Sequence, residues 1–237
     1  MSWAAHEFEN FALLKRFGVR TSYLGLLVGA LGPDFLTKAW TYYGADNPAK
    51  FHRGWPGLGF TTSLGMAAIA AAFTHKVSKG HKAWTWGVFV GWSAHALTDM
   101  FDTAGAMVLW PLWWENFSFG MWKYGAGQGK FGDAIAYYSS LGFAMDALAL
   151  LLVLVFAWRT LSRDWFETVV RPVDGAWDWI QVRFAMPDRA LLAFYRGFFF
   201  YGFTRFVSWS LIVHVVEGWP FDLTWGSPFW VIPYQPW

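Results

Sequence analysis

The sequence predicts an all-α protein: a polytopic membrane helical bundle of about five transmembrane or re-entrant helices, with interfacial amphipathic helices beside them. Three observations predict it. Of the 237 residues 56% are hydrophobic and only 14% charged, whereas soluble domains carry roughly a quarter charged residues. Nineteen Trp and 24 Phe bring the aromatic share to 22%, and large aromatics gather at membrane interfaces and between packed helices. Five stretches, 22–38, 58–75, 84–101, 134–158 and 190–216, are apolar enough to enter a bilayer, which takes about 20 helical residues to cross. The same composition excludes a disordered regulator, which needs low hydrophobicity and high charge.

Taken in order along a single integral-membrane domain of residues 1–237, the first element is 1–18. It carries Glu7 and Glu9 where a secretory signal needs positive charge before an apolar core, so it reads as a retained amphipathic helix. Residues 22–158 form the motif-bearing core. Its first two apolar stretches are short, which suits tilted or partly re-entrant helices, and the MDALALLLVLVFAW run makes the fourth the clearest span. Between Asp102 and Asp133 a Trp- and Gly-rich stretch is broken by Pro111, too short to span, and expected along the interface. Residues 159–189 alternate apolar and charged positions at helical spacing and read as inner amphipathic helices. The last span, 190–216, leads into a Trp/Pro-rich outer tail, 217–237.

Charge asymmetry orients this layout. With the N-terminus inside, eleven Lys and Arg fall in inner segments and five (Lys38, Lys50, Arg53, Lys123, Lys130) in outer ones, as the positive-inside rule requires. The expected location is the bacterial inner membrane, N-terminus inside and C-terminus outside. A net charge of +2 is no electrostatic footprint for nucleic acid. With no Cys, disulfides, thiolate metal sites and Cys nucleophiles are excluded.

Ionisable groups inside spans are costly, so each is a functional candidate. Gly87, Gly91, His95 and Asp99 recur every four residues on one helix face, with Asp102 three further on. The glycines admit a close-packed neighbour. An imidazole and a carboxylate one turn apart can share zinc, manganese or iron; the plainer reading is a His–Asp hydrogen bond between two buried groups. In the topology above, Asp34 (GALGPDFLTK) and His52 (FHRGWPG) come to the same outer membrane face as His95 and Asp99.

These segments carry a resemblance. GALGPDF, then HRG followed by GFTTSL, then GWSAHALTDMFDTAG with a Pro beyond it, resemble the membrane-bound, metal-dependent hydrolase family associated with LexA regulation. That family is similar to the zinc-dependent phospholipase C superfamily. The resemblance covers roughly residues 30–111 and implies metal ligands at Asp34, His52, His95 and Asp99. The family's early His corresponds to His6, which the topology above places at the opposite face and so leaves out. Two positions depart from the pattern: Leu36 stands where Pro-Asp-x-Asp has its second acid, and Thr62 where Thr-His-Ser has its His.

The remaining candidates are weaker. His214 reads as a haem or chlorophyll ligand or, more plainly, as a buried hydrogen-bonding group. Arg196 and Arg205 are expected to pair with Asp146. His75 and His81 flank a Lys-rich inner turn, and Gly125–Gly129 lacks the Lys of a phosphate loop. Ser139 and Ser140 have no neighbouring His and Asp for a triad.

Two functions follow. In the first, a divalent metal acts on a phosphoester or lipid-like substrate near the outer leaflet, Arg53 steadies a phosphate oxygen, and Asp102 or Glu115 is general base. In the second, the chain is a non-catalytic accessory subunit of a larger membrane assembly, respiratory or photosynthetic, built on a hydrolase-like scaffold. Expected partners are the lipid bilayer and other membrane subunits, with no nucleic acid. A transporter would show an inverted repeat or a path of mid-membrane acids, and neither is present.

Overall fold

A computed structural model describes residues 4–44, 48–55, 57–122, 132–225 and 231–232. Helices dominate them. In chain order they are α1 (Ala5–Phe17), α2 (Tyr23–Gly44), α3 (Pro48–Arg53), α4 (Leu64–Val77), α5 (Lys82–Thr98), α6 (Gly132–Tyr138) and α7 (Leu141–Leu152). Helical turns carry α7 on to Leu161. A docked segment with the Ala176–Arg183 helix follows, then the C-terminal helix Asp188–Leu211. The strands β1 (Asn116–Phe117) and β2 (Val231–Ile232) form one short antiparallel pair.

Two helices among the described residues are long and apolar enough to cross a bilayer: Leu141–Leu161 and Asp188–Val216. Only 22% and 17% of their apolar windows are buried inside the protein. Leu151, Val155, Phe156, Phe200 and Val215 are instead exposed, a costly arrangement in water and the ordinary one in lipid. The sequence expected five spanning or re-entrant stretches. Local chemistry explains the difference. Pro33, Asp34 and Lys38 interrupt the apolar run of α2. Ser63 accepts from the Met66 N–H at 2.9 Å and starts α4 late, leaving it 14 residues long. The expected 134–158 helix breaks because Ser140 is extended and caps α7, its hydroxyl also donating to the Tyr137 carbonyl at 2.8 Å.

The N-terminal helix is the main correction. The sequence placed 1–18 on the membrane surface; α1 lies inside the bundle against α2, α5, α7 and the C-terminal helix. Phe8, Phe11 and Leu14 join Tyr23, Phe166, Trp177, Tyr195 and Phe199 in the central core. Its buried polar residues are each held there by at least one contact, though not at every atom. Glu7 pairs with Arg205, the Asn10 amide donates to the His6 carbonyl at 2.6 Å, and Asp146 accepts from the Ala4 and Ala5 N–H groups at 2.9 and 2.8 Å. A carboxylate at a helix N-terminus satisfies orphan donors and opposes the helix dipole. The expected pairing of Asp146 with Arg196 and Arg205 is therefore replaced: Arg205 takes Glu7, and Arg196 donates to the Leu161 carbonyl at 2.7 Å.

The 159–189 segment docks through buried Asp174, which accepts from Ser22 Oγ at 2.5 Å and from Trp84 Nε1 at 2.9 Å. His214 sets both ring nitrogens against the Trp219 and Tyr138 carbonyls, at 2.8 and 3.0 Å, and stacks on Phe221. Residues 125–129, Lys123 and Lys130 lie outside the described residues, as does most of the tail beyond Trp225.

Candidate metal centre

The site is built on a glycine seam. A Cβ on Gly29 would stand 2.4 Å from the Val88 carbonyl oxygen, and one on Gly91 would stand 2.4 Å from that of Leu26. Gly25 and Gly87 repeat the contact one turn away. With no side chains between them, α2 and α5 touch backbone to backbone, the small-residue packing of membrane helices. That approach puts His95 Nδ1 2.7 Å from the Ala30 carbonyl. The carbonyl can only accept, so Nδ1 carries the proton and the lone pair sits on Nε2.

Four elements bring groups around that nitrogen. Asp99 Oδ2 is 3.4 Å from His95 Nε2, and Asp34 Oδ1 is 3.9 Å from it. His52, from α3, holds Nε2 3.9 Å from the same Asp34 oxygen. From α1, the His6 ring lies flat on His95, centroids 4.1 Å apart and planes 7° from parallel. Its Nε2 is 3.8 Å from Asp99 Oδ1. Ligand atoms of His6, His95 and Asp99 all lie within 4.8 Å of one another. With metal–ligand bonds of about 2.0–2.2 Å, atoms up to roughly 4 Å apart can share one ion.

The far sides of His6 and Asp99 are also held. His6 Nδ1 meets Glu9 Oε1 at 3.0 Å, and Glu9 Oε2 accepts from Thr98 Oγ1 at 2.9 Å. Carboxylate–His and carbonyl–His pairs of this kind orient metal-binding imidazoles. Arg53 anchors Asp99, reaching Asp99 Oδ2 with Nη1 at 2.5 Å and Asp102 Oδ2 with Nη2 at 3.0 Å. Asp102 is fully buried, and its other oxygen accepts from the Ala104 and Gly105 N–H groups, both at 2.9 Å. Arg53 and Asp102, singled out as phosphate holder and base, thus sit behind Asp99 as a brace for its carboxylate. Lys38 is the cation at the more open edge, 2.5 Å from Asp34 Oδ2.

Electrostatics set the two rings apart. Burial opposes charge on His6, but Glu9 and Asp99 outweigh it and raise its pKa to about 10. Burial, aided by the Arg53 charge, lowers His52 to about 3 and keeps that imidazole neutral, the form that binds metals. Three atoms nonetheless remain without a hydrogen-bond partner: His6 Nε2, His95 Nε2 and Asp34 Oδ1. Buried polar atoms are ordinarily satisfied; here His95 Nε2 lies between the other two groups, 3.9 Å from Asp34 Oδ1 and in the same cluster as His6.

The structure brings together Asp34, His52, His95 and Asp99 from the sequence reading, and it adds His6 and Glu9. Leaving out His6 is corrected: α1 enters the bundle, so the residue at its first turn reaches the far end of α5. The H-x-x-E spacing of His6 and Glu9 was the available signal, since residues three apart share a helix face. The two departures have local explanations. Thr62 donates to the Gly59 carbonyl at 2.8 Å and closes a turn, and Leu36 is exposed on the side of α2 away from the cluster's buried ligands.

A mostly helical chain with two long, exposed apolar helices and an ionisable cluster buried between others has the make-up of an integral membrane protein. Comparison with known families agrees: the YdjM inner membrane protein family matches residues 6–166, and the chain belongs to that family. The matched span contains every residue of the cluster. No curated protein and no solved structure matches the chain.

Proposed function

We propose that the chain is an inner-membrane protein holding one divalent metal ion between His6, His95, Asp99 and Asp34, with His52 beside them, and that it acts as a hydrolase on a phosphoester or lipid-like substrate. One observation carries this reading: three buried, partnerless ligand atoms converge while the opposite atom of each group is pinned by a hydrogen bond or an ion pair. The donor set, imidazole nitrogen with carboxylate oxygen, suits zinc, manganese or iron. When bound, such an ion supplies a water of lowered pKa and polarises the scissile oxygen. The protein's own part is to hold His95 in one tautomer, brace Asp99 with Arg53, and present Lys38 beside the mostly buried Asp34, where it would meet an anionic substrate group.

A second reading, an accessory subunit of a larger membrane assembly, is favoured by the exposed apolar residues Trp219, Phe221, Leu223 and Trp225 beyond the last helix.

Elemental analysis of the purified protein tests both. About one equivalent of zinc, manganese or iron is expected in the wild type. It should fall by at least about 100-fold in affinity in His95→Ala and His6→Ala, beyond the effect typical of losing a residue that only orients a ligand, while helicity is retained. A wild type that takes up none of these metals after loading sinks the hydrolase and leaves the accessory reading. Full metal content in both variants sinks the ligand set.

A further inference from the structure

Away from the cluster, an apolar groove of about 840 Å³ is lined by residues of α2, α4 and α5, a volume in the range of lipid- and drug-sized sites. Ile69, Phe73 and Val77 of α4 form one wall, Trp84 and Trp92 of α5 another, and Leu36 closes the end nearer Asp34. The α4 residues are 51%, 67% and 60% exposed, so the groove opens along a surface that, in an inner-membrane protein, meets hydrocarbon. Its other end is the α4–α5 turn, where Lys76, Lys79, His81 and Lys82 are all exposed and pair with no described acid. Residues 47–98 contain no Asp or Glu. Asp174 lines that end but is buried, and its oxygens are taken by Ser22, Trp84 and the Ala176 N–H.

The dimensions name the occupant. From Lys76 back to Met66 is ten residues of helix, about 15 Å, which is half of a hydrocarbon core of roughly 30 Å. A slot one leaflet deep with a cationic rim at its end has the shape and charge of a single phospholipid. We propose that this groove binds one acyl chain of an anionic phospholipid whose phosphate is held by Lys76, Lys79 and Lys82. Lysine serves here as a compact point charge for phosphate. The proposal stands on the groove and its rim and is independent of any metal.

The test is native mass spectrometry of the delipidated full-length protein, titrated with phosphatidylglycerol and phosphatidylcholine of matched chains. One tightly held phosphatidylglycerol is expected, preferred by at least about tenfold. Changing Lys76, Lys79 and Lys82 together to Gln lies on the exposed turn and should abolish the preference, leaving weak binding of both lipids. Ala70→Trp, which fills the groove, should remove binding of both, with metal content unchanged in each variant. Equal binding of the two headgroups by the wild type would reduce the groove to ordinary lipid-facing surface and overturn the proposal. Equally tight binding of glycerol phosphate, which has no acyl chain, would leave only an anion site. Retained preference in the triple Lys variant would also overturn it.

Discussion

The two ends of the first turn of α1 are each anchored by buried acid, and they differ in one respect. At Asp146 every acceptor position is used: Oδ1 takes the Ala5 N–H and the Tyr137 hydroxyl, both at 2.8 Å, and Oδ2 takes the Ala4 N–H at 2.9 Å and the Tyr138 hydroxyl at 3.0 Å. At the cluster, His6 Nε2, His95 Nε2 and Asp34 Oδ1 have no hydrogen-bond partner, while the opposite atoms of these three groups are pinned. Both centres are buried and both join distant segments. Burial is common to the two centres; the satisfaction of their hydrogen bonds is what differs between them.

The sharpest way to break that comparison is Asp146→Ala. It strands two backbone donors and two tyrosine hydroxyls and should cost about 3–5 kcal/mol, read as a lowered thermal midpoint in detergent. The loss should be the same with and without metal in the medium. Loss of metal with unchanged stability would reverse the roles assigned to the two centres.

A smaller effect is expected from the seam that assembles the cluster. Gly29→Ala must push a methyl group into the Val88 carbonyl, an overpacking cost of about 1–3 kcal/mol. It also shifts Asp34 relative to His95, so metal affinity should fall along with stability. Gly197→Ala, whose Cβ would meet nothing within 4 Å, is the matched control and should be neutral or stabilising by up to about 1 kcal/mol. Equal behaviour of the two variants would mean that close α2–α5 contact does not position the site.

How much of this was legible in the sequence depends on the distance over which each signal acts. Gly87, Gly91, His95 and Asp99 announce their face because a helix repeats every 3.6 residues, and the short motifs around Asp34 and His52 mark their own turns. The path of α1 carries no such local mark. Its Glu7, Glu9, Asn10, Lys15 and Arg16 read as the polar face of a surface helix, and the partners that let it enter the bundle lie far along the chain. Asp146 is 142 residues from Ala4, and Arg205 is 198 from Glu7. Periodicity reports amphipathicity and is silent about whether the polar face meets water or matched side chains. His6 was misplaced for that reason alone. The same limit hid Arg53, whose charge pointed to a substrate phosphate until its two acidic partners, 46 and 49 residues away, came into view.

The finest distinction between the two centres is in their response to pH. His6 faces Glu9, Asp99 and His95, and its pKa is raised to about 10, so at neutral pH the metal-free protein carries an imidazolium there. A metal ligand must be the neutral ring. Binding should therefore release one proton, and affinity should rise about tenfold, or 1.4 kcal/mol, per pH unit from near neutrality up to about pH 10, then level off. Stability of the metal-free protein should run the other way. A raised folded-state pKa contributes stabilisation that is complete below the unfolded value of 6.5 and is lost as pH climbs through about 10. Glu9→Gln removes one of the charges that raise His6, so the affinity slope should end at a lower pH while His95, held by the Ala30 carbonyl, keeps its place. Calorimetric titration of zinc in buffers of differing ionisation enthalpy counts the released proton directly. A count of zero near pH 8 would mean that His6 is not a ligand, and the cluster would then be closer in kind to Asp146 than its partnerless atoms imply.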